Sequence, residues 1–137
     1  MGRIVAIDYG TKRVGLAVTD PLKIIATPLE TIHSKDIFQY LKIYDQKETI
    51  EAFVLGIPKK LDNTDTNNTI HVKIFEKGLR KNFPGKPIYL IDERFTSKIA
   101  LQTMISGGMK KKDRREKGNV DKISAVIILQ SFLESSL

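Results

Sequence analysis

The sequence predicts an α/β fold: a mixed five-stranded sheet, three strands antiparallel and two added in parallel, with helices on both faces. Short, β-branched apolar runs at Ile4–Ile7, Val14–Val18, Ala52–Gly56 and Ile88–Ile91 read as strands. The first three strands follow one another through short turns, so they pair antiparallel. The later two are each reached through a helical stretch and so add in parallel. The length, 137 residues, suits one domain over 1–137 with a sizeable core.

Each element has its own signal. Ile4–Ile7 is an unbroken apolar run suited to a strand buried on both faces, yet it ends on Asp8. Gly10 supplies a turn, Lys12 and Arg13 add positive charge, and Val14–Val18 returns beside the first strand. Ile24–Ile32 is a third strand, and Pro28 within it predicts an edge position. Ser34 is placed to cap a helix running to about Glu48, with Ile37, Leu41 and Tyr44 on one face. Ala52–Gly56 is a fourth, buried strand that stops at Pro58. Asp62–Thr69 reads as a long loop. A second helix follows to about Asn82, with Ile70, Ile74 and Phe75 expected in the core and Lys73, Lys77, Arg80 and Lys81 outward. Ile88–Ile91 is the fifth strand and ends on Asp92 and Glu93. Ser97 opens a third helix that stops at Gly107 and Gly108. Met109–Gly118 lacks an apolar period and reads as a mobile basic loop. A last helix, from about Val120 to Glu134, is apolar nearly all round and therefore buried, with Asp121 in its first turn.

Composition narrows the function. The 28% charged and 41% apolar residues are those of a globular protein. The absence of cysteine excludes disulfides and thiolate metal sites, and His33 and His71 lack the pairing of a zinc site. No apolar stretch approaches the ~20 residues of a membrane span. Asp8 interrupts the first apolar run too early for a signal peptide. A cytoplasmic protein with no membrane partner is the expectation. The net charge of +7 is unevenly spread: residues 1–68 hold 9 Lys/Arg and 9 Asp/Glu, whereas 69–137 hold 14 against 7. That asymmetry favours a polyanionic partner, nucleic acid before an anionic membrane surface.

Asp8 at the end of a central strand is costly to desolvate without a cation beside it, although an Asp there also serves as a turn cap. Glu93 ends a strand that this topology can place nearby, and ligands in such sheets gather outside the carboxyl ends of strands. If the last helix packs over the same edge, Asp121 joins them. Carboxylates without His or Cys select hard cations, Mg²⁺ or Mn²⁺. Two such ions ~3.5–4 Å apart serve in-line displacement at phosphorus.

Four motifs then carry a resemblance: Asp8-Tyr-Gly-Thr-Lys-Arg13-Val-Gly15, Gly56-Ile-Pro58, Asp92-Glu93-Arg94-Phe-Thr96-Ser97 and Val120-Asp121-Lys-Ile-Ser-Ala125. The chain resembles the YqgF/RuvX family of the ribonuclease-H-like superfamily over essentially its whole length. The resemblance implies a metal site of Asp8, Glu93 and Asp121. It also implies a nuclease, either trimming the 5′ end of precursor 16S rRNA or resolving four-way DNA junctions. Asp92 rivals Glu93, since alternation along a strand puts one of the two on the metal side; the family pattern favours Glu93. Ser124-Ala125 stands where relatives tend to have Ala-Ala, and Asn63 where Gly is common.

Around these acids, Gly10 and Lys12 support the turn, and Arg13 and Arg94 either clamp a phosphate or pair with the acids themselves. Thr96 and Ser97 either bond a phosphate oxygen or cap the following helix. Lys110, Lys111, Lys112, Arg114 and Arg115 would contact a nucleic-acid backbone without reading sequence. A resolvase needs a two-fold homodimer, whereas an RNA-processing enzyme can act as a monomer. Two other classes compete. Asp8-Tyr-Gly-Thr11 also looks like the first phosphate motif of actin/hexokinase-type ATPases, which need two such domains. A non-catalytic nucleic-acid-binding module would leave the acids merely structural.

Overall fold

Strand β1 (Arg3–Tyr9) lies in the middle of the sheet, and its sequence explains why. Ile4, Val5, Ala6 and Ile7 are all buried, so both faces of this strand need a covering layer. The structure, a computed structural model, describes residues 2–57, 67–92 and 117–135. β2 (Arg13–Thr19) returns antiparallel to β1, and β3 (Ala26–His33) pairs antiparallel with β2. β4 (Ile50–Ile57) joins the other side of β1 in parallel, and β5 (Ile88–Asp92) joins β4 in parallel. The order is β3-β2-β1-β4-β5, the mixed five-stranded sheet expected from the sequence. β3 is an edge strand, as Pro28 predicts. The register slips by one residue where Ala17 meets Pro28, so the ladder absorbs the missing donor in a bulge.

Among the described residues, three α-helices cover the two faces: α1 (Ile37–Lys47), α2 (Asn67–Asn82) and α3 (Lys117–Ser135). One face carries Val5, Ile7, Val14, Leu16, Phe53 and Leu55, packed with Ile37 and Leu41 of α1 and Val72, Phe75 and Leu79 of α2. The opposite face carries Ile4, Ala6, Ala17, Ala52 and Val54, packed with Ala125, Val126, Ile128 and Leu129 of α3. Large side chains thus line the two-helix side. Small ones line the α3 side, where a single helix can lie close to the strands.

The structure moves several expected details. Ile24 and Ile25 belong to the β2–β3 turn, and β3 begins at Ala26. Ser34 does not cap a long helix. It starts a 3-10 turn (Ser34–Asp36) whose cap is the His33 side chain, accepting from the Lys35 N–H, and α1 follows at Ile37. α2 begins at Asn67, inside the expected loop, and buries Thr69, Val72, Phe75 and Leu79 rather than Ile70 and Ile74. Those two isoleucines are 65% and 62% exposed, since one helical position away from the buried stripe is a rotation of about 100°. α3 starts at Lys117, so Lys117 and Gly118 are helical rather than loop, and Asp121 is the fifth residue, past the first turn. The third helix expected over 97–107 and the basic stretch 109–116 lie outside the described residues.

Candidate functional site

The end of β1 is fixed by an aromatic stack. Tyr9 lies against Phe75 with ring centroids 4.5 Å apart, and Phe75 in turn stacks on Phe38 at 5.2 Å. Tyr9, Ile7 and Val5 therefore face α1 and α2, and alternation assigns Asp8, with Ile4 and Ala6, to the α3 face. Asp8 is half-buried there. Its partner on β2 is Gly15. On the other side, one step beyond the Ile7–Leu55 pair, comes Gly56, itself the partner of Ile91. The row across this face is therefore Thr31, Gly15, Asp8, Gly56, Ile91. A carboxylate stands between two residues without side chains. A methyl group at either glycine would sit about 5 Å from the Asp8 Cβ, the ordinary separation of neighbours across a sheet.

α3 runs over this face in a direction that its contacts define. Gln130, Leu133 and Glu134 lie against Lys23–Ala26 of the β2–β3 turn, at the end of the sheet where β1 begins. The N-terminal turns of α3 thus lie toward the end where β1 finishes. Nine helical residues separate Asp121 from Gln130, about 13 Å of rise, which matches the ~13 Å of strand from Ile4 to Asp8. The α3 backbone at Asp121 consequently lies toward the Asp8 end of the sheet.

β5 places one of the two rival acids. Tyr89 packs on Phe132 of α3 with centroids 4.9 Å apart, and Ile91 joins the same cluster, whereas Ile88 packs on the opposite side. Asp92 follows Ile88 and Leu90 and is exposed on the α1/α2 face, away from Asp8. Glu93, Arg94, Thr96, Ser97, Lys110, Lys111, Lys112, Arg114 and Arg115 lie outside the described residues. Of the three candidate acids, Asp8 is the one whose side chain is described. Its oxygens are hard donors, the donor type that suits Mg²⁺ or Mn²⁺.

Positive charge reaches the same end through the β1–β2 turn. The Gly10 N–H bonds the Arg13 carbonyl at 2.9 Å, and a Cβ on Gly10 would lie 2.6 Å from that oxygen, so the turn excludes any larger residue. Lys12 and Arg13 are exposed, and Arg13 shares the α3 face with Asp8, diagonally across the β1–β2 pair. Ser34 ties the turn to β3, donating Oγ to the Thr11 carbonyl at 2.5 Å and its N–H to the Lys12 carbonyl at 3.1 Å. His33, Ser34 and Lys35 were not legible as neighbours of this site. The β2–β3 register brings them there, and no spacing in the sequence announces it.

Solved structures share the fold, and known sequences are similar over nearly the whole chain. The fold is shared with RuvC of Thermus thermophilus, solved in complex with Holliday junction substrate. The TM-score is 0.57 at 17% identity, over 99% of this chain and 96% of that one. The fold class is thus the α/β fold that RuvC shares. A family model described as "RuvX: Holliday junction resolvase" matches residues 2–135. A protein of Amoebophilus asiaticus is 53% identical over 135 residues, covering 98% of this chain and 96% of the relative. One of Christiangramia forsetii is 50% identical over 133 residues, covering 97% and 98%. Both are named "Putative pre-16S rRNA nuclease". The chain belongs to the RuvX family, a family of nucleases, hydrolases that act on phosphodiester bonds.

Proposed function

We propose that this chain is a metal-dependent nuclease that trims the 5′ side of precursor 16S rRNA. The observation that carries the proposal is the half-buried Asp8 carboxylate between Gly15 and Gly56, in a chain half identical to relatives of that name. Asp8 would be one acid of the centre. The outward facing of Asp92 supports Glu93 as the second, and the course of α3 supports Asp121 as the third. Bound by these acids, Mg²⁺ or Mn²⁺ would activate the attacking water and stabilise the leaving oxygen. The chain's own part is placement. Lys12 and Arg13 draw the scissile phosphate to the end of β1, where the Gly10 turn holds their backbones rigidly. Arg94, and the cations at 110–112, 114 and 115, extend that attraction along the strand. Such work belongs in the cytoplasm; no helix among the described residues is long and apolar enough to cross a membrane.

A second reading, cleavage of four-way DNA junctions, is favoured by the family's description and by the junction-bound RuvC. One experiment separates the two. Purified protein in Mg²⁺ or Mn²⁺ receives an RNA carrying the 5′ leader of 16S rRNA and an immobile four-way DNA junction, with Asp8→Asn as control. The expected result is RNA cleavage that falls to background in Asp8→Asn, with RNA binding kept or improved because a repulsive charge is gone. Paired symmetric nicks in the junction would instead establish the second reading and require a two-fold dimer. Tight binding of both without cleavage of either would leave a binding module.

A further inference from the structure

The turn beside Asp8 continues into a second surface. Arg13 and His33 are register partners, and His33 Nδ1 accepts from the Lys35 N–H at 3.1 Å. The proton of the neutral ring therefore sits on Nε2, which is left as a donor. Lys12, His33 and Lys35 are all exposed, on a ledge whose backbone is tied by the two Ser34 hydrogen bonds. The ledge runs from the end of β1 across β2 to the edge strand β3. Just past that edge, between β3 and α1, lies a groove of about 310 Å³ walled by Ile32, His33, Asp36, Tyr40 and Ile43. His33 belongs to both, so ledge and groove are continuous. Their chemistry differs: donors and cations on the ledge, and an aromatic ring, aliphatic side chains and the Asp36 carboxylate in the groove.

We infer that this is a subsite for an unpaired nucleotide of the substrate strand, a few positions from the scissile bond. The inference rests on the reading of Asp8 as the cleavage centre and names the substrate feature that reading leaves open. The phosphate stays outside, on Lys35 and the His33 Nε2–H. The base enters the groove against Ile43 and Tyr40. Asp36 enforces that polarity, since its charge repels a phosphate but accepts N–H groups from a base edge. A base held in a Watson–Crick pair cannot turn into the groove, so the strand must be single at this point. Base stacking of this kind tolerates any sequence, while the ledge adds salt-sensitive affinity.

The test uses the Asp8→Asn protein, expected to bind without cutting, and fluorescence anisotropy with RNA hairpins that are blunt or carry an unpaired overhang. A DNA overhang on the same stem distinguishes the sugar; an advantage for either overhang supports the subsite. The expected result is about tenfold tighter binding of the overhang than of the blunt stem. Ile43→Glu and Lys35→Ala, both exposed positions, should remove most of that advantage. Lys35→Ala should also flatten the slope of log K against log salt by about 0.7, one phosphate on a single strand. Equal affinity for blunt and overhang, or variants that weaken both equally, would overturn the inference. Wild-type cleavage of the same RNAs separates the two levels. An overhang preference without Asp8-dependent cleavage would sink the centre and leave the subsite, whereas cleavage without preference would do the reverse.

Discussion

Gly15 and Gly56 matter for what they lack. Each neighbours Asp8 on its own face of the sheet, so the adjacent positions of β2 and β4 set no side chain of their own beside the carboxylate. Gly56→Ala should therefore slow single-turnover cleavage at least about tenfold while leaving the melting temperature within a few degrees. A rate unchanged by the added methyl would mean that the substrate approaches from elsewhere. Gly10 constrains the turn differently. Gly10→Ala forces a Cβ to 2.6 Å from the Arg13 carbonyl oxygen, so the turn must shift, at a cost of about 1–3 kcal/mol in denaturant unfolding. Asp8 was legible in the sequence because a charge ending an apolar run demands an explanation. Its two glycine neighbours were visible as residues but not as neighbours, because the register across three strands is set by packing that no local pattern contains.

Elements carry their own tests at the far end of β1. Thr19 is fully buried, and its Oγ1 accepts from the Ile4 N–H at 2.9 Å, just beyond the Val5–Val18 pair at the end of the β1–β2 ladder. Thr19→Val keeps the shape and orphans the donor, so it should cost about 1–3 kcal/mol in urea unfolding. A loss below a few tenths would show that water or a backbone shift replaces the hydroxyl. In the next turn, the Ile25 and Ile24 N–H groups both donate to the Asp20 carboxylate at 2.8 Å and hold its pKa below the ordinary carboxylate value. A depressed native pKa stabilises the fold above the unfolded pKa of about 3.9 and is lost as pH falls through the native value. Asp20→Asn should accordingly cost stability at pH 7, with the gap to wild type closing below pH ~3.9 as acid titrates the native carboxylate. At this scale the sequence was read well where one signal ruled, as with Pro28 on an edge strand. It was misread where two competed. Ile70 and Ile74 share a helical spacing with each other, but Val72, Phe75 and Leu79 define the stripe that the sheet covers. Ser34 looks like a cap and instead bonds the Thr11 carbonyl, 23 residues away in sequence.

For the molecule as a whole, topology was legible because each connection admits few solutions: short turns give antiparallel neighbours, and helical crossovers give parallel ones. The concentration of positive charge in residues 69–137 carries its own expectation. Neutralising Lys110, Lys111 and Lys112 together should reduce the salt slope of RNA binding by about 2. An unchanged slope would place the nucleic-acid surface on the Lys12–Lys35 side alone. The division of the core into two clusters has a consequence in time. All five strands precede α3 in the chain, yet the small-residue face that presents Asp8 is covered by α3 and by no other described helix. During synthesis, a nascent chain that has finished its sheet still lacks the α3 side chains that pack on Ile4, Ala6, Ala17, Ala52 and Val54 until residues 117–135 leave the ribosome. The carboxylate thus gains its surroundings late, and a half-made nuclease is an unassembled one.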